Sequence, residues 1–134
     1  MIQSLKKENV DMLIDSFWES GYLTLSRRFG TYLPEPRPVG TYQVDVVGRS
    51  QRKYAIGIIL TEEDFLDCNL TVKVSFLASR HTRYSNTKVT LFIGVDAENW
   101  NKAGILLSTL PAELKKNIRL VQLNCLPVSR SDAA

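Results

Sequence analysis

The chain has 134 residues, 44% of them hydrophobic and 23% charged, with a formal net charge of +3. That length suffices for one domain with its own core, without disulfides or a structural metal. The apolar and charged fractions are ordinary for a soluble globular protein, and so small a charge does not name nucleic acid as a partner unless the basic residues cluster.

Cys68 and Cys125 lie far apart, no CxxC spacing occurs, and His81 is the lone imidazole. These residues do not make a zinc site; free thiols in a reducing cytoplasm are the expectation. The first residues, MIQSLKKENVDM, hold no apolar signal core. No apolar run approaches the roughly 20 residues that span a bilayer. A cytoplasmic protein without a membrane role is therefore expected.

Val10, Leu13, Ile14, Phe17 and Trp18 recur at i, i+3, i+4, i+7 and i+8, which predicts a helix over Leu5–Ser20 with one buried stripe. Ser4 or Asn9 stands where a cap would, and Gly21 where the helix would stop. Trp18 reads as a core anchor on that stripe. Tyr22–Phe29 is rich in strand formers. Pro34, Pro36 and Pro38 then forbid helix and central strand, leaving an extended surface loop.

Thr41–Val47 and Lys53–Leu60 read as two strands, with Gly48-Arg49-Ser50-Gln51-Arg52 as the hairpin loop. Thr61–Asp67 reads as a helix start or acidic turn. Asn69 stands at the head of a helix placing Leu70, Val74, Leu77, Ala78 and His81 on one face. The β-branched run Thr71-Val72-Lys73-Val74 keeps strand open as a rival there. On that stripe His81 reads as a core or boundary histidine, not a catalytic base. Lys88–Val95 is almost continuously apolar, as a strand covered on both faces would be. Ala97–Leu107 predicts a helix, Pro111–Lys116 a helical turn and Ile118–Leu123 the last strand. Residues 1–127 form one predicted domain, and 128–134 a flexible tail.

Helix, three strands, helix, strand, helix, strand implies one α/β domain, with a mixed central sheet between helical layers. With Asp45 in Tyr-Gln-Val-Asp-Val-Val on the second strand, this order resembles the PD-(D/E)XK, or restriction-endonuclease-like, superfamily and its αβββαβ core. The resemblance implies an Asp on the second core strand and a Glu-x-Lys on the third. Here that slot falls on Ile58-Ile59-Leu60, so the acid and lysine are replaced by aliphatics. Two carboxylates would hold Mg²⁺ to activate water, and a lysine on the same strand face would stabilise developing charge. Asp45 alone holds a metal poorly.

The resemblance thus implies a catalytically degenerate nuclease-like domain, a nucleic-acid-binding or accessory protein in DNA processing rather than an enzyme, with no cofactor. A second reading is a protein-interaction or structural module, such as a homodimer, with no nucleic-acid role. A third is a Mg²⁺-dependent nuclease with migrated residues. There Asp45 would ligate the metal, Glu62 or Glu63 would supply the second carboxylate, and Lys73 the cation. The simpler alternatives are a solvated acidic turn for Thr61–Asp64, a helix surface charge for Lys73 and a hydrogen-bonded strand acid for Asp45.

Basic residues fall in three clusters: Arg27 and Arg28; Arg49, Arg52 and Lys53; Arg80, His81 and Arg83. Gathered on one face with Tyr54 and Tyr84, they would follow a phosphate backbone; scattered, they are solvated charges. Arg49, Arg52, Lys53, Arg80 and Arg83 are the candidate nucleic-acid contacts. No Walker-type, GxGxxG or GxSxG motif occurs.

Overall fold

Two apolar stripes decide the architecture, one on each side of a five-stranded sheet. The computed structural model describes residues 2–51, 53–81 and 87–123, with side chains from Lys6 onward. Arg52, Arg83, Tyr84, Cys125 and the expected 128–134 tail lie outside the described residues.

Helix α1, Ile2–Glu19, leads into β1, Leu23–Arg27. Strands β2, Val46–Ser50, and β3, Lys53–Ile59, follow, then the short helix α2, Glu62–Leu66, and α3, Leu70–Ala78. After β4, Thr90–Asp96, come a 3₁₀ turn at Ala97–Asn99, α4 at Trp100–Ser108, α5 at Ala112–Lys115 and β5 at Ile118–Leu123. The sheet order is β1-β2-β3-β4-β5. The first three strands pair antiparallel, and β3, β4 and β5 run parallel. Parallel neighbours need crossovers, supplied by α3 and by α4 with α5.

On one face α1 buries Val10, Leu13 and Phe17 against Val46, Ala55 and Phe92. On the other, Ile56, Ile58 and Leu60 pack with Val74, Leu77 and Ala78 of α3 and Ala103 of α4. Residues 91–95 of β4 are all buried, because both faces are covered there. The chain is an α/β domain with a mixed sheet packed against helices. Among the described residues no helix is long and apolar enough to cross a membrane.

Several expectations need correcting. Trp18 is 63% exposed while Phe17 is fully buried. The stripe is centred on Val10, Leu13 and Phe17, and one further residue turns Trp18 by about 100° toward solvent. Strand β2 starts at Val46, after Asp45, instead of spanning Thr41–Val47. Gly48 lies within the strand and not in its turn: a Cβ there would sit 2.6 Å from Cδ2 of Phe17. Its role is close approach to α1. Ser50 pairs with Lys53, and Gln51 takes the left-handed conformation at φ 57°.

Residues Thr71–Val74 are helical, which removes the strand rival. Because α3 ends at Ala78, His81 is exposed beyond it, bridged to Lys88. Asn69 occupies the N-cap position without a side-chain cap bond. The predicted Ala97–Leu107 helix is split, since the Asp96 carboxylate accepts from Asn99 N and Nδ2 at 3.0 and 2.9 Å and holds the tighter first turn.

Candidate functional site

The β2–β3 ladder ends where Val46 pairs with Gly57. Just before it, Asp45 donates its backbone N–H to Gly57 O at 2.8 Å, and its carbonyl accepts from Arg28 N at 2.9 Å. The chain bends at this point, so the next β3 donor is met by a side chain. Asp45 Oδ2 accepts from Ile59 N at 2.9 Å, and Oδ1 accepts from Arg28 Nη1 at 3.3 Å.

Arg28 is aimed by the turn that ends β1. Phe29 takes a left-handed φ of 60°, uncommon for a residue with a bulky side chain. The Arg28 guanidinium lies 4.6 Å from the centroid of the Phe29 ring. Both side chains line a cavity of about 220 Å³. Lys6 and Asn9 reach it from α1, Gln43 and Asp45 from the approach to β2, and Ile59 and Thr61 from the end of β3. Asp64 of α2 and Lys73 of α3 complete its wall.

Burial pushes the Asp45 carboxyl above the usual carboxylate range. The Ile59 N–H, the Arg28 charge and hydrogen bond, and the Lys73 charge pull it back only in part. Asp64 is likewise engaged, accepting from Thr61 N at 2.7 Å and Thr61 Oγ1 at 3.1 Å. Lys73 is half-buried, and among the described residues its ammonium makes no ion pair. The cavity therefore sets Lys6, Arg28 and Lys73 against two carboxylates that already have protein donors.

Asp45 and Lys73 are brought to one cavity; Glu62 is not. Glu62 and Glu63 are exposed on α2 and do not line it, and the acid that does is Asp64. Ile58 and Leu60, at 1% and 2% exposure, face the α3 side, so the slot read on them points into the core. Strand alternation puts Ile59 and Thr61 on the cavity side instead. Among the described residues no three His, Cys, Asp or Glu side chains gather to hold a metal.

No family model, no curated protein and no solved structure matches this chain.

Of the candidate nucleic-acid residues, the described ones, Arg49, Lys53 and Arg80, do not line this cavity. Arg49 stands four residues along an extended strand from Asp45, roughly 13 Å away, and pairs with Tyr54 beside Lys53. Arg80 follows the far end of α3. Lys6, Asn9, Phe29, Gln43 and Asp64 were not singled out in the sequence as parts of a site. They come from four separate stretches, and the left-handed Phe29 has no glycine or asparagine to mark it.

Proposed function

We propose that this chain is a nuclease-like α/β domain that binds nucleic acid without hydrolysing it. The observation that carries this reading is the division of labour in the cavity. Both carboxylates accept from protein donors, Asp45 at both oxygens and Asp64 at Oδ2, whereas Lys73 makes no ion pair among the described residues. A hard divalent cation needs several free oxygens at about 2.0–2.6 Å. A phosphate oxygen needs a cation and donors, which Lys73, Lys6 and Arg28 offer. The order α1-β1-β2-β3-α3-β4 agrees with the αβββαβ order of the restriction-endonuclease-like fold, which supports the resemblance without deciding it.

Fluorescence anisotropy with a labelled DNA duplex across a salt series, with and without Mn²⁺, tests this. Salt-sensitive binding that ignores Mn²⁺, together with an uncut duplex, is the expected result. Cleavage that Asp45→Ala abolishes would replace it with the migrated-site nuclease. A second reading, a protein-interaction module or homodimer, draws on edge strand β1, where Leu23 and Leu25 are 57% and 42% exposed. Light scattering at rising concentration that shows a dimer, with no duplex binding, would favour it.

A further inference from the structure

The two ends of the sheet differ in charge, one mixing acids with the cavity cations Lys6, Arg28 and Lys73. Glu62, Glu63, Asp64, Asp67 and Glu98 follow the C-terminal ends of β3 and β4, and Asp96 is the last residue of β4. Asp45 and its cavity lie at that same end, beside Ile59.

The opposite pole is basic. There β2 turns into β3, α3 ends, and α5 leads into β5, bringing Arg49, Lys53, Arg80, Lys88, Lys115 and Lys116 together. The register makes them level: Arg49 pairs with Tyr54, Ala55 with Thr90 and Leu91 with Ile118. Asn117 ties the pole together, since its Nδ2 donates to the carbonyls of Ala78 at the end of α3 and Val89 before β4. Val89 N in turn donates to Arg80 O at 2.9 Å. Four neighbouring strand ends give the pole a width of about 14 Å. Its acids among the described residues are Glu113 on α5 and Glu19 at the end of α1. None of its cations is in an ion pair among the described residues.

We infer that this pole is the main docking surface for a nucleic-acid duplex, the Asp45 cavity taking at most a single phosphate contact. The inference rests on the nucleic-acid reading above and adds where the duplex lies. Two arginines are pre-positioned for phosphate. Arg49 lies over the Tyr54 ring at 5.8 Å and donates from Nε to Gln51 O at 2.7 Å. Arg80 lies 3.9 Å over Phe76 and donates from Nε to Phe76 O at 3.0 Å. Holding the guanidinium plane this way lowers the entropy lost when its remaining N–H groups meet a phosphate. Beside Arg49 lies an open depression of about 500 Å³ lined also by Ser50, Gln51 and Lys53. A ridge of phosphates fits such a depression better than a flat lipid surface does.

The test compares salt slopes of duplex binding for wild type, a Lys53→Ala/Lys88→Ala/Lys115→Ala/Lys116→Ala variant and Lys73→Ala. Each lost phosphate contact lowers the slope of log K against log salt by about 0.9. The pole variant should lose roughly 2–4 from its slope, and Lys73→Ala no more than about 0.9. All four lysines are exposed, so a native melting curve is expected; single Lys88→Ala and Lys116→Ala variants give the same reading, each lowering the slope, if the combined one folds poorly. If wild type binds and the pole variants keep its slope, this inference falls while the nucleic-acid reading stands. If wild type ignores duplexes, or is held only by phosphatidylserine vesicles, both fall.

Discussion

The carboxylate of Asp45 takes the place of a strand partner for Ile59, accepting its backbone N–H at 2.9 Å where the β2–β3 ladder has run out. One side chain thus fixes the end of a central strand and, through Arg28 at 3.3 Å, the turn that closes β1. Both oxygens of this candidate site acid accept from protein donors.

Asp45→Ala should therefore destabilise the fold whether or not the cavity binds anything. It strands the Ile59 N–H and leaves Arg28 without its ion pair, a loss of about 1–3 kcal/mol. Asp45→Asn keeps an acceptor for Ile59 N and sheds the buried charge, so it should cost clearly less. Urea unfolding of the two variants checks the order; equal losses would show that charge, not the acceptor, is what matters.

The same residue should leave a pH signature. Its folded carboxyl holds a proton at higher pH than the ordinary aspartate value of 3.8, because burial outweighs its donors. Between that value and the raised one, the folded state binds more protons than the unfolded state, so stability falls as pH rises through the window. The stability of wild type relative to Asp45→Asn should decline as pH is raised from about 3.8. Denaturant titrations at several acidic pH values check it; a difference that grows with pH would mean that Arg28 and Lys73 dominate burial.

Two glycines set how closely α1 rides on the sheet. A Cβ at Gly48 would meet Phe17 Cδ2 at 2.6 Å, and one at Gly57 would meet Leu13 Cδ2 at 2.8 Å. Gly48→Ala should cost about 1–3 kcal/mol through overpacking. Trimming the obstacle in a Gly48→Ala/Phe17→Leu double variant should recover part of that loss as a coupling energy. Strictly additive losses would place the strain elsewhere.

These particulars show which features the sequence made legible. The α1 stripe, the doubly covered β4 and the β5 segment came through because each rests on local periodicity or a continuous apolar run. The β2 register did not, since Gly48 looks like a turn residue until the ring of Phe17 is above it. In the cavity, Asp45 and Lys73 were legible by residue type and spacing from the strands. Lys6, Phe29 and Gln43 join them only through tertiary packing, and the grouping of Lys115 and Lys116 with Arg49 depends on strands that pair across the chain.

Trp18 and Phe17 are adjacent, large and aromatic, yet the structure assigns them opposite roles: 63% exposed against fully buried. Phe17 stacks against Phe92 at 4.5 Å and touches Tyr22 edge-on at 6.1 Å. Phe17→Ala should cost about 3–5 kcal/mol, from lost transfer energy and the cavity left behind. Trp18→Ala should change stability by less than about 0.5 kcal/mol, as expected of an exposed position. Unfolding curves for the pair decide it. A large loss at Trp18 with little at Phe17 would require α1 to be rotated by about 100°, which would also lift Val10 and Asn9 from the cavity wall.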